Sequence, residues 1–139
     1  MKNKITKSQQ QKEMRKFQRK ALSLWKIVVK LRAGGKCEDC GETKFLNACH
    51  VESFERNFNL RYSISNGIAL CPRHHKWDRR SFHRSFVFTY LIMVKKHPKE
   101  LNYLMDHFDD KNEKLTRTGL LRKIKELEKL KEELECDLA

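Results

Sequence analysis

Two close pairs of metal-type residues constrain this chain more than anything else in it. They are Cys37-x2-Cys40, followed at once by Gly41, and Cys71-x2-His74. Zinc takes four nitrogen and sulfur ligands in a tetrahedron, and two knuckles separated by roughly thirty residues can supply them. The opposing reading is four ordinary packed residues; the glycine directly after the first pair and the second pair downstream argue for the metal. A closed four-ligand site has no room for substrate. The Zn2+ expected at Cys37, Cys40, Cys71 and His74 is therefore structural, and it adds folding free energy to a chain of 139 residues that can bury only a modest core. The chain has five cysteines, the other two being Cys49 and Cys136. An odd count, with an N-terminal stretch that lacks the apolar centre of a secretory signal, argues against a disulfide framework and for a reducing, cytoplasmic setting. The longest apolar run, FVFTYLIMV at 86–94, falls far short of the ~20 residues of a membrane span, so no membrane partner is expected.

The formal net charge is +13, which points to a polyanion, and nucleic acid is the commonest. The charge is unevenly placed. Up to Lys36 the acidic residues comprise Glu13 alone, against a long basic series that includes Arg15 and Arg19. A solvated face or tail is the plain alternative for such a run, and its imbalance favours DNA.

Residues 8 to about 33 read as a helix, with Phe17, Ala21, Leu24, Trp25, Val28 and Leu31 at helical spacing and Gly34-Gly35 at its end. A Cys-rich turn, a short strand through ACHV, a polar loop over 52–65 and a second strand in NGIALC follow. Pro72 suits the first turn of a helix running from Arg73 to about Arg80. FVFTYLIMVKKH reads as a helix, Pro98 opens another, and a third spans about Thr116 to Leu138. Its apolar seam includes Leu120, Ile124, Leu127, Leu130, Leu134 and Leu138. That seam serves equally a helix packed on its own domain and a short homodimeric coiled coil.

Adjacent His74 and His75 cannot easily share one ion, because neighbouring side chains leave the backbone in different directions. With His74 in the zinc site, His75 joins a second constellation with His50 and Asn66. Here the sequence resembles the HNH endonucleases. The resemblance covers roughly residues 34–85 and rests on CEDCG, on ACHV with His50, and on NGIALCPRHH with Asn66 and His75. His50 to Asn66 is H-x15-N and Asn66 to His75 is N-x8-H, with His74 standing where the second knuckle usually ends in Cys. Within the family the resemblance is to phage recombination endonucleases of the NinG type, through LRY, the Asn and LC-x2-H.

The resemblance implies an α+β protein: a small ββα-metal (His-Me finger) core at 34–85 with a structural zinc site, flanked by a basic N-terminal helix at 1–33 and a helical region at 86–139. It implies a metal-dependent endonuclease hydrolysing DNA phosphodiester bonds, in phage or prophage recombination or DNA processing in a host cytoplasm. His50 would be the general base, Asn66 would tie the loop to the strand and orient His50, and His75 would hold a catalytic Mg2+, Mn2+, Ni2+ or Zn2+. Two positions depart from the pattern. Cys49 stands where an Asp or His ligand usually precedes the base; it is either a soft ligand or a small buried residue. Arg79 stands where another His is often found, which leaves His83, eight residues beyond His75, or Asp78 to complete the ligands. Phosphate contacts would come from Arg73, Lys76, Arg79, Arg80 and Arg84 beside His75 and from Arg15 and Arg19; Arg56 and Arg61, in the loop between the strands, either enter a groove or are ordinary surface charge. Loss of the ligand at Cys49 would instead leave a catalytically inactive zinc-knuckle module that binds DNA. A third possibility is an interaction protein that uses the C-terminal helix.

Overall fold

A computed structural model describes residues 4–53, 55 and 57–139. Phe54 and the expected groove residue Arg56 lie outside the described residues. The first helix, α1 (Lys7–Arg32), is opened by a reciprocal cap: the Thr6 hydroxyl accepts from the Gln9 amide while the Gln9 side chain accepts from the Thr6 amide. It closes where the amides of Gly34 and Gly35 turn back to the carbonyls of Leu31 and Lys30. Its buried residues, Ala21, Trp25, Val28 and Val29, fall on one stripe. Val29 takes the full burial that the sequence spacing had given to Leu31, which is half-exposed.

Strands β1 (Asn47–His50) and β2 (Gly67–Leu70) form an antiparallel pair in which Asn47 faces Leu70, Ala48 faces Ala69, Cys49 faces Ile68 and His50 faces Gly67. β2 is buried on both faces. Ile68, Leu70 and Cys49 pack into one apolar cluster with Leu60 and the later helices. Ala48 and Ala69 meet Trp25, Val28 and Val29 of α1 in the other. The small residues on the α1 face let the helix lie almost on the sheet backbone. Gly67 is the extreme case: a Cβ there would come within 2.5 Å of Val29 and 2.9 Å of Trp25. The Trp25 indole donates to the Ser63 carbonyl (2.8 Å), and the Arg32 guanidinium donates to the carbonyls of Ile64 (2.8 Å) and Gly67. The helix thus holds the loop as well as the strand. The described part of that loop holds 3-10 turns at Phe58–Leu60 and Ile64–Asn66.

After β2 comes a single wide helical turn, Arg73–Trp77, closed by a bond from the Asp78 amide to the Arg73 carbonyl. It is shorter than the helix expected through Arg80. Asp78 is extended (φ −75°, ψ 159°) and its carboxylate is held by Arg73 at 3.2 Å, so the chain leaves the helical path there. It then folds back, and the amides of Phe82 and His83 bond to the carbonyls of His74 and His75. Helix α2 (Phe86–Lys96) is capped by the Ser85 hydroxyl and α3 starts at Pro98, spanning Pro98–Asp106. The last helix, α4 (Arg117–Leu138), lies along α1 in the same direction, with Arg117 paired to Glu13 (3.1 Å) and Lys20 to Glu128 (2.8 Å). Leu120, Ile124 and Leu127 of its seam are buried against α1 within the chain, while Leu130 and Leu138 remain exposed. The protein is thus a small mixed α/β molecule, mostly helical around a two-stranded sheet. Among the described residues no helix is long and apolar enough to cross a membrane.

Gly67→Ala is expected to cost about 1–3 kcal/mol in urea denaturation, the usual penalty of overpacking. Combining it with Val29→Ala should recover part of that loss, and additive losses in the double variant would show that the close approach is not the cause.

Candidate metal centres

The turn after α1 and the turn after β2 meet at one end of the hairpin. There Cys37, Cys40, Cys71 and His74 bring four ligand atoms within 4.8 Å of one another, in a cluster that could hold a metal ion such as zinc. The turn carrying the first pair is closed by a bond from the Gly41 amide to the Cys37 carbonyl and one from the Cys37 amide to the Glu42 carbonyl. Gly41 takes a φ of 78°, which a side chain would resist. Tetrahedral zinc with bonds of about 2.3 Å to sulfur and about 2.0 Å to nitrogen spaces its ligand atoms about 3.5–3.8 Å apart. The Cys40 and Cys71 sulfurs lie 3.8 Å apart, and His74 Nδ1 lies 3.6 Å from Cys37 Sγ and 3.3 Å from Cys71 Sγ. The donor set therefore fits the ion in both chemistry and spacing. Burial pushes the Cys37 thiol up, but backbone N–H groups of the knuckles outweigh it and bring the thiol down to about 7. Burial with its sulfur neighbours pushes Cys40 up to about 11.

Two carboxylates between the first two cysteines complete this centre, and the ligand spacing alone did not single them out. Asp39 lies 3.1 Å from His74 Nε2, the nitrogen facing away from the sulfurs, and its other oxygen accepts from Arg80 at 3.0 Å. A carboxylate in that position fixes the ring and raises the basicity of the ligating nitrogen. Glu38 extends the sheet. Its amide donates to the Ala69 carbonyl (3.0 Å), and its carboxylate accepts from the Ala69 amide (2.9 Å). The second carboxylate oxygen lies 2.6 Å from Nε2 of buried His97 at the start of α3. The signal in the sequence was the pair of acids inside C-E-D-C.

His75 points elsewhere, and its Nε2 meets Nε2 of His83 at 3.1 Å. The fold-back after Asp78 makes the meeting. Burial first, and the neighbouring His83 second, hold the His75 imidazole below its ordinary range. A nitrogen–nitrogen distance of this size suits two imidazoles on one ion, and equally an N–H···N hydrogen bond. Asp78, the other ligand considered, is engaged by Arg73, which holds its carboxyl below the usual range.

His50 ends β1. Its ring stacks on Trp25 with centroids 3.9 Å apart and planes 4° from parallel, and Nε2 lies 2.8 Å from the Arg61 carbonyl. A carbonyl accepts only, so the proton of the neutral ring sits on Nε2 and the basic lone pair on Nδ1. Burial lowers the His50 pKa from its ordinary 6.5. Fully buried Asn66 accepts from the Glu52 amide (2.6 Å) and donates to the carbonyls of Glu52 (3.0 Å) and Leu60 (3.2 Å). These bonds clip the loop to the strand beside His50. Cys49 lies on the opposite face of β1, packed with Ile68 and Leu60, and burial pushes its thiol up to about 12. It is thus a buried thiol, as one of the two readings of the sequence had it. Of the basic residues, Arg15, Arg19, Lys76, Arg79 and Arg84 are exposed. Arg73 and Arg80 are exposed but carry intramolecular acidic partners. Arg61 lies over the Tyr62 ring, 5.5 Å from its centroid.

Asp39→Asn is expected to weaken zinc binding by about ten- to a hundredfold in chelator competition, the usual cost of losing a carboxylate behind a ligating histidine. Unchanged affinity would sink the assignment of that role. Compared with models of known protein families, with curated proteins and with solved structures, the chain matches none, so a reading of its function rests on these side chains.

Proposed function

We propose that the chain is a metal-dependent endonuclease of the HNH type, hydrolysing DNA phosphodiester bonds with His50 as general base. The observation that carries this reading is the approach of His75 and His83. Two Nε2 atoms 3.1 Å apart offer one edge of a coordination shell and leave its other positions to water and phosphate oxygens. In this reading β1, β2 and the turn at Arg73–Trp77 make up the ββα-metal core, and the Cys3His cluster holds a structural Zn2+ that braces it. The chemistry a divalent cation supplies when bound by His75 and His83 is neutralisation of phosphate charge and stabilisation of the leaving 3′ oxygen. Imidazole nitrogens suit Zn2+ and Ni2+ better than Mg2+, and the remaining oxygen positions suit Mn2+ and Mg2+.

The chain's own residues do the rest. His50, with Nε2–H spent on the Arg61 carbonyl, takes a proton from water at Nδ1. The water oxygen attacks phosphorus, the bond to the 3′ oxygen breaks, the departing oxygen takes a proton from solvent water, and a 5′ phosphate and a 3′ hydroxyl remain. Trp25 fixes the plane of the base by stacking, and Asn66 fixes the loop whose carbonyl sets its tautomer. Lys76, Arg79 and Arg84 bind phosphate beside the site, with Arg15 and Arg19 of α1 adding sequence-independent contacts, so affinity falls steeply with salt. A phage or prophage role in recombination or processing remains part of this proposal through the family likeness alone.

One observation favours a second reading, an inactive zinc-knuckle module that binds DNA. Cys49, at the position of a usual ligand, is a buried thiol with no use to a hard cation. The two readings part on supercoiled plasmid incubated with zinc-loaded protein and added Mg2+, Mn2+ or Ni2+. The nuclease converts it to open-circle or linear DNA, and His50→Ala loses at least about a hundredfold in rate while keeping its zinc and its DNA affinity. A module that shifts DNA and cleaves it with none of these ions would settle for the second reading.

The pH dependence supplies a further check. His50 must be neutral to act, and burial lowers its pKa below 6.5. Activity is therefore expected to hold as pH falls through 6.5 and to decline only below it. An acid limb at or above that value in the rate profile would remove His50 as the titrating base.

A further inference from the structure

An apolar groove of about 700 Å³ opens at His83 and Arg84 and runs between α2 and α3, walled by Phe86, Tyr90, Leu104 and Phe108. The helix on one side is apolar nearly all round, a pattern that ordinarily belongs in an interior. Yet Phe86 is 83% exposed and Tyr90 48% exposed, one turn apart on α2 with their rings 24° from parallel. These are aromatic faces held at the rim of the groove, immediately after the proposed metal-binding His83.

We propose that this groove receives unstacked bases of single-stranded DNA next to the phosphate held at His75 and His83. The inference rests on the nuclease reading and adds the class of substrate to it. A nucleotide carries an anionic phosphate and an aromatic face on one unit. The groove offers a matching pair, since Arg84 stands at the mouth, exposed, and the first turn of α2 holds no acidic residue. Positive charge beside aromatic platforms is how single strands are held without reading their sequence. A duplex keeps its bases stacked inside and shows the groove only phosphate. A protein segment would have to bring both an acid for Arg84 and apolar side chains for the walls, at matching spacing. Glu52 in the wall is the acidic group that a bound phosphate must avoid, which places the phosphate on the Arg84 side and the base toward Phe86 and Tyr90.

The test uses the full chain holding one equivalent of zinc, for the Cys3His cluster, and freed of all further cation, so that DNA is bound and not cut. Fluorescence anisotropy compares a labelled single strand of about 20 nucleotides with the same strand in a blunt duplex, long enough to cover a site of this kind. Phe86→Ala and Tyr90→Ala are each expected to weaken single-strand binding about five- to tenfold, the range of one lost base–aromatic stack, and to change duplex binding by less than about twofold. Tyr90→Phe keeps the ring and should bind as the parent does. The exposure of both rings keeps these substitutions clear of the core, and circular dichroism checks it. Equal effects on the two DNA forms, or none on either, overturn the proposal. So does a parent that elutes as a dimer and becomes monomeric on Phe86→Ala, because the groove then belongs to a second copy. Absence of binding to either DNA form in the parent overturns the nuclease reading itself and this inference with it.

Discussion

The closure of the Cys37–Cys40 turn onto the Cys71–His74 turn is the constraint on which the middle of the molecule depends. Two strands of four residues make a sheet too small to stand alone in water. The turn that carries the first two cysteines also carries Glu38, whose amide and carboxylate bond to Ala69 along the open edge of β2. The same carboxylate reaches His97 and so fastens α3 to the hairpin. Asp39, one residue on, fastens His74 and Arg80. Four consecutive residues thus provide two cluster ligands, a surrogate strand and a brace for a third ligand. An ion in the cluster would tighten all of these together, which is how a core of this size can be stable.

The hairpin is shared between two packings of different character. Toward α1 it shows Gly67, Ala69 and Ala48, and toward the later helices it shows Ile68, Leu70 and Cys49. The first face is thin, so that Trp25 can reach the backbone and still cover the ring of His50. The second is thick and fills the space beneath α2 and α3. Asn66, fully buried beside the hairpin, spends three hydrogen bonds on the loop, which offsets the cost of burying an amide. Helix α4 packs along α1 and joins the same apolar cluster.

The helices were legible because their signals are local. Gly34, Pro98 and Thr116 mark ends, and apolar spacing marks faces. The strands were legible as short apolar runs beside cysteine pairs, and the gathering of Cys37, Cys40, Cys71 and His74 followed from ligand type and spacing. What escaped depends on contacts far apart in sequence. That Glu38 would serve as an edge strand, or that Trp25 would stack on His50, requires knowing how α1 crosses the hairpin. The early end of the turn at Trp77 was hidden for a different reason. Nothing in WDRRS forbids a helix, and the Arg73–Asp78 pair that closes the turn is defined only once the chain has bent. The homodimer seam of α4 was ambiguous in sequence because an intramolecular neighbour and a second copy ask for the same leucines; here α1 takes Leu120, Ile124 and Leu127.

His74 and His75 share a peptide bond, yet their rings serve different neighbourhoods, one among three sulfurs and the other beside a lone imidazole. Those neighbourhoods differ in how long they would keep an ion. Three thiolates and a buried imidazole let go slowly, whereas a pair of nitrogens reaching solvent exchanges readily. A chelator would therefore meet two clocks in one molecule. On the proposed reading, the fast one would empty the His75–His83 edge and be reset by adding any suitable cation. The slow one would loosen the turn that presents His75 in the first place, after which only an ion that fits the Cys3His cluster, given time to refold the turn, would restore it.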